Sequence, residues 1–176
     1  MALTDNTEHY GIVTRVFHWG IAVLILWQFL SASAHFFFED TAVEAFFWPT
    51  HKPLGVILLA LMVLRLLWYF INRTNRPQSV SLLAKLGHIT IYLLIVIIPV
   101  VALLRQYGSG RTFELFGITV FPGFEGEKIQ WMLDLGSDFH GELGWVLLLL
   151  IIGHIFMTYV HQKSSTKQNV LSRMWK

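Results

Sequence analysis

The chain has no cysteine in 176 residues. That absence excludes disulfides, thiolate zinc sites, iron–sulfur clusters and thioether-attached haem together. Any metal here must be held by histidine, carboxylate or methionine. Charge is also scarce. Only 14% of residues are Asp, Glu, Lys or Arg, against about 25% in soluble domains. The formal net charge is +2, too small to point to nucleic acid. What fills the space is apolar: 55% hydrophobic residues, with a mean hydropathy of +0.56. A soluble single domain and a disordered chain are both excluded. Against that background, 8 histidines stand out.

About 20 mostly apolar residues are needed to cross the hydrocarbon of a bilayer. Four segments meet this, at about 12–34, 51–71, 86–104 and 140–161. Their charges are few: Arg15 in the first, Lys52 and Arg65 in the second, none in the third, Glu142 in the fourth. Open backbone is not tolerated in lipid, so all four are expected to be helices. The expected fold is all-α, an integral membrane four-helix bundle forming a single domain over 1–176. Ala32-Ser33-Ala34 after an apolar run imitates a secretory cleavage site. The first ten residues hold Asp5 and Glu8 and no base, so the segment is read as a retained helix.

Lysine and arginine set orientation. Arg73, Arg76 and Lys85 follow the second helix, and Lys163, Lys167, Arg173 and Lys176 follow the fourth. The connection after the first helix carries Glu39, Asp40 and Glu44 without a base. The long connection 105–139 is acidic on balance, with Glu114, Glu125, Glu127, Asp134 and Asp138. Both termini are therefore expected in the cytoplasm of a multi-pass protein, with the two acidic connections facing outward. Within the long connection, 127–135 is expected as a short helix on the membrane surface, dipping Ile129, Trp131 and Met132 inward.

His140 and His154 are fourteen residues apart on the fourth helix. At 3.6 residues per turn that is almost four turns, so both face one way, about 21 Å apart along the axis. His51 matches the depth of His140, and His18 matches that of His154. The chain thus offers two cross-helix pairs, outer His51/His140 and inner His18/His154. Two axial imidazoles per iron is a common way to hold haem b for electron transfer. A lone membrane histidine could simply bond a neighbouring helix. Four at two matched depths on three helices favour metal ligation, because intramembrane ionisable groups default to function. Zinc would want further carboxylate or thiolate ligands.

Neighbouring residues admit two readings each. Gly55 and Gly144 lie one turn beyond His51 and His140. They leave room either for a flat macrocycle or for close helix packing. Arg65, fourteen residues after His51, either meets a haem propionate or snorkels to the surface. Arg15 is either a propionate partner or an interfacial anchor. His88 and His161 are either quinone or proton contacts or ordinary interfacial residues. His9 and His35 are read as loop or interfacial residues.

The order of these pieces resembles the prokaryotic cytochrome b561 family over nearly the whole chain. The resemblance rests on Tyr10-Gly11 leading to Arg15-x-x-His18-Trp19, then His51-Lys52-x-x-Gly55 with Arg65 beyond. Leu86-Gly87-His88-x-x-x-Tyr92, His140-x-x-x-Gly144 with His154 and His161, and Leu171-x-Arg173-Met174 complete it. It implies two b haems on the histidines already paired. It also implies electron passage between ubiquinone and a periplasmic or surface donor. Some relatives resemble superoxide oxidases, so superoxide is one donor to expect. Two other functions compete with this oxidoreductase reading. One is a haem b anchor or relay subunit for a partner dehydrogenase. The other is a haem-free proton or metal transporter.

Overall fold

The computed structural model describes residues 2–163 and 170–175. Lys167 and Lys176, used above for orientation, lie outside them. Four long helices dominate: α1 (Ile12–Phe37), α3 (His51–Asn72), α4 (Leu82–Gly108) and α5 (Gln130–Lys163). Each is long and apolar enough to span a bilayer, α3 together with the short α2 (Ala42–Phe47) before it. A four-residue α6 (Ser172–Trp175) follows. This is the expected helical membrane bundle.

Local chemistry sets the ends. Ser81 caps α4, its hydroxyl accepting from the Ala84 amide at 3.1 Å. Thr41 caps α2 in the same way. Pro53 falls in the first turn of α3, where an amide has no helical partner to lose. Pro99, inside α4, does remove an amide, the one that would bond the Ile95 carbonyl.

Helices neighbouring in sequence pack together: α1 on α3, α3 on α4, and α4 most closely on α5. The α4–α5 seam depends on two buried glycines. A Cβ on Gly136 would strike Arg105 Cβ, and one on Gly108 would lie 2.6 Å from Met132 Cβ. Neither α1 nor α3 packs its backbone closely along α5. The core crosses the middle: Ile21 and Ile25 of α1, Leu58 and Met62 of α3, Leu94 and Ile95 of α4, Leu147 of α5. Outward faces leave Val23, Leu26, Leu64, Leu149 and Ile155 exposed. That is the distribution lipid, rather than water, requires.

The long connection departs from expectation. No separate surface helix occupies 127–135. From Gln130 onward the chain is already α5, so 130–135 are the helix's first turns and 127–129 lead into it. The reason is packing: Met132 and Gly136 dock on α4 at Gly108 and Arg105. Trp131 points out, 59% exposed. With 34 residues, α5 is about 51 Å long, more than a hydrocarbon core requires. Ahead of it stands a hairpin, β1 (Phe113–Leu115) against β2 (Ile118–Phe121). Its two-residue turn, Phe116-Gly117, has φ of 51° and 80°, the both-positive pattern that matches strand twist.

At the other end the chain closes on itself. Asp5 is buried, accepts from the Gly11 amide at 2.8 Å, and meets Arg76 Nε at 3.4 Å. The Arg76 guanidinium lies over both Tyr10 and Tyr69. Burial pushes the Tyr10 phenol above its ordinary pKa, with Arg76 pulling the other way. Arg173 reaches the Gln78 carbonyl at 3.0 Å, and Trp175 stacks edge-on against Trp19. The N-terminal segment, the α3–α4 connection and α6 thus form one cap.

Candidate functional site

The histidines meet between helices that do not pack closely on each other. His51, the first residue of α3, faces His140 of α5 with ring centroids 6.1 Å apart. This pair lies toward the end opposite the termini. His140 does not open its helix, as the sequence suggested, but sits about three turns inside it. His18 of α1 faces His154 of α5 at 6.4 Å. Both pairs bridge to α5, one from α3 and one from α1.

Between the pairs lies a dry floor. Leu147 is seven residues from both His140 and His154. Leu58 follows His51 by seven, and Ile25 follows His18 by seven. All three belong to the buried core cluster. Sevenfold spacing returns each to its histidine's face about two turns on, so an apolar layer separates the two sites.

Separation tests what could bridge each pair. A metal–imidazole bond is about 2 Å, so rings whose centres stand about 6 Å apart leave room for one metal between them. Both pairs match. Among the described residues, no three His, Asp or Glu side chains converge on one point. Each pair can therefore fill two positions of a metal and leaves the others to a group brought from outside. A macrocycle supplies four in a plane.

Space is left for it. A Cβ on half-buried Gly144 would meet nothing within 4 Å, as would one on Gly153, which is exposed. These glycines are not packing contacts between helices in this structure. Gly55 is tighter, its would-be Cβ 3.4 Å from Gln28 Nε2.

Hydrogen bonds assign ring nitrogens at the first pair. Ser31 donates its hydroxyl to the Gln28 carbonyl at 2.9 Å. Its oxygen must therefore accept from His51 Nδ1, 2.7 Å away. His140 Nδ1 donates to the Ile98 carbonyl at 3.1 Å. Both rings carry the proton on Nδ1, which leaves both Nε2 lone pairs free to ligate.

The second pair has a cation beside it. Arg65 is 7% exposed and turned inward. Nη2 donates to Tyr92 Oη at 2.8 Å, and the guanidinium sits 5.0 Å from the Tyr92 ring centroid. It also lies 3.5 Å from His18 Nδ1, charge proximity rather than a good hydrogen bond. The snorkelling alternative for Arg65 is thereby overturned: the tyrosine holds the head inside.

His88 of α4 is edge-on to His154 at 5.1 Å, so it belongs to this region. Its Nδ1 donates to the Ala84 carbonyl, and that of His161 to the Met157 carbonyl. His161 stands two turns beyond His154, near the end of α5. Arg15 lies on α1, one turn before His18.

Sequence reading missed Ser31, Gln28 and Trp48. It also undervalued His35, which stacks on Trp48 at 3.9 Å and bonds Glu44 at 2.6 Å. Trp48 in turn is 4.9 Å from the His51 ring. A serine inside a helix and a tryptophan in a connection are both unremarkable until the fold brings them to a histidine.

These features define a multi-pass helical membrane protein with two facing pairs of histidines. The profile of the prokaryotic cytochrome b561 family matches residues 9–176. The chain is similar to cytochrome b561 homolog 2 of Escherichia coli (strain K12), at 27% identity over 186 aligned positions. That alignment covers 99% of this chain and 95% of the relative. The chain belongs to the prokaryotic cytochrome b561 family. Membership makes it a membrane haem protein and implies haem b and electron transfer.

Proposed function

We propose that the chain holds two b haems and passes single electrons between a donor at the outer membrane face and ubiquinone. His51 and His140 would hold the outer haem, and His18 and His154 the inner. The termini face the cytoplasm and the membrane is the bacterial inner membrane. The donor is periplasmic or surface-bound, with superoxide among the candidates. The observation that carries the reading is the pair of separations, 6.1 and 6.4 Å, between histidines of helices that do not pack closely on each other.

Haem held by two histidines would supply one-electron transfer. The chain does the rest. His51 and His140 present Nε2 because Ser31 and Ile98 hold their Nδ1 protons. Gly144 keeps the turn beyond His140 clear of side chains, and Gly55 leaves room beside His51 that Gln28 partly lines. Ile25, Leu58 and Leu147 exclude water between the sites. Arg65, held by Tyr92, and Arg15 place positive charge for inner propionates. His88 and His161 keep Nε2 free to accept or hand on a proton at the quinone.

The test is the reduced-minus-oxidised spectrum of the detergent-purified protein, with haem and iron counted per chain. Two low-spin b haems are expected. One would mean that a pair is misread. None, in folded protein, would end the electron-transfer reading and favour a transporter. Ubiquinone reduction by the isolated chain then separates an enzyme from a relay subunit, which would purify with its partner.

A further inference from the structure

Ser31 is fully buried inside α1, six residues before its end, a place where serine gains nothing from helix propensity. Its one proton goes to the Gln28 carbonyl, the usual local partner of a helical serine. The unusual contact is the other one. Its oxygen lone pair receives His51 Nδ1–H at 2.7 Å.

Adjacent bonds from α1 fix the same stretch. Gln28 Nε2 donates to the His51 carbonyl at 3.0 Å, and Trp27 Nε1 donates to Thr50 Oγ1 at 2.8 Å. The carbonyl of His51 is therefore held by Gln28 and its ring by Ser31, while Trp27 ties down the preceding residue, Thr50. Across the site, His140 gives its Nδ1 proton to a backbone carbonyl, Ile98. No side-chain change removes that acceptor. Ser31 is the replaceable support of this site.

We infer that Ser31 is a positioning residue for His51: it fixes the Nδ1–H tautomer and ring direction, and so sets the ligand strength at the His51–His140 site. This rests on the reading of that site as a haem centre. An acceptor on the far nitrogen raises the basicity of a ligating imidazole. A more basic ligand favours the oxidised metal. Loss of the acceptor therefore shifts the site toward its reduced form, and its midpoint potential rises. Loss of such a partner typically weakens metal binding by about 10–100-fold.

The experiment uses the full chain with its haems, in detergent, as wild type and as Ser31→Ala, Ser31→Cys, Ser31→Thr and His51→Ala. Potentials are read by absorbance titration, and haem retention by transfer to apomyoglobin. Ser31→Ala is expected to raise one midpoint potential and leave the other in place. A tenfold change in the oxidised-to-reduced preference would appear as about 59 mV. The same haem is expected to leave faster. Ser31→Thr, which keeps the hydroxyl, should restore both values. Ser31→Cys, near serine in volume and a weak acceptor, should fall between, and it carries the test if the alanine variant is unstable. Unchanged potentials and retention in Ser31→Ala and Ser31→Cys, with one haem lost in His51→Ala, would overturn the role of Ser31 alone. Both haems retained in His51→Ala would instead overturn the ligand reading beneath it.

Discussion

Arg65 and Tyr92 hold each other inside the bundle. The guanidinium donates to the phenol oxygen at 2.8 Å and lies over the same ring. A charge this deep is costly in lipid unless it is paired. Here one tyrosine gives both a hydrogen bond and a π face. Tyr92→Phe keeps the face and removes the bond. A hydrogen bond to a charged group is worth about 1.5–3 kcal/mol. Tyr92→Phe should lower the thermal midpoint in detergent by a matching amount. It should also release Arg65 toward the surface. Repeating the change in an Arg65→Met background checks the cause, since the tyrosine effect should then largely vanish.

The two histidine pairs should fail separately. Each of His51→Ala and His140→Ala should remove one haem, and His18→Ala and His154→Ala the other. Haem per chain should halve in every case. The double variants His51→Ala/His140→Ala and His18→Ala/His154→Ala should look like their singles, because one missing ligand already breaks its pair. The apolar floor of Ile25, Leu58 and Leu147 is the reason for independence. Pyridine haemochrome counts and the residual spectrum check this. A single variant that loses both haems would contradict it.

How far the sequence could be read follows from which signals repeat. The spans were legible because apolar runs of that length have few other uses. The histidine register was legible because helical rotation is a fixed angle per residue. That arithmetic put His140 and His154 on one face, and the rings do converge on partners from α1 and α3. The start of α5 was not legible. Gly136 and Asp138 look like a break between a surface helix at 127–135 and the fourth span, and docking of Gly136 on α4 goes with one continuous helix instead. The hairpin turn was hidden too, because Phe116 takes a positive φ that its residue type disfavours. Ser31 carries no pattern of its own. Its role exists only once Gln28 takes its proton and α3 delivers His51.

The cap at the termini rests on a buried carboxylate. Asp5 accepts from Gly11 and meets Arg76. Asp5→Ala leaves an amide and a guanidinium without that partner. Breaking a buried pair typically costs about 3–5 kcal/mol. Arg76 keeps its two tyrosine faces, so the lower part of that range is expected. Hydrogen exchange at the Gly11 amide should accelerate, while exchange in mid-α4 should not. Tyr10 adds a pH dependence. Its folded pKa is raised by burial from 10.0. Its contribution is present below that value and is lost as pH rises through the folded pKa. The cap should loosen in alkali, and Tyr10→Phe should remove that dependence.

Gly144 and Gly136 separate space kept for a ligand from space filled by a helix. Both are on α5, eight residues apart. A Cβ on Gly136 would meet Arg105 Cβ, and would lie 2.8 Å from the Val101 carbonyl. Gly136→Ala should force α4 and α5 apart, at a cost of about 1–3 kcal/mol. That loss should appear with or without haem. A Cβ on Gly144 meets no protein atom within 4 Å. In haem-free protein, Gly144→Ala should be neutral or stabilising, since alanine gains about 1 kcal/mol over glycine in a helix. In loaded protein the added methyl would enter the volume one turn from His140. Haem should then leave faster, and the outer site alone should be affected. Thermal melts of both variants, with and without haem, test this. Equal loss of stability by Gly144→Ala in both forms would mean that Gly144 serves helix packing instead.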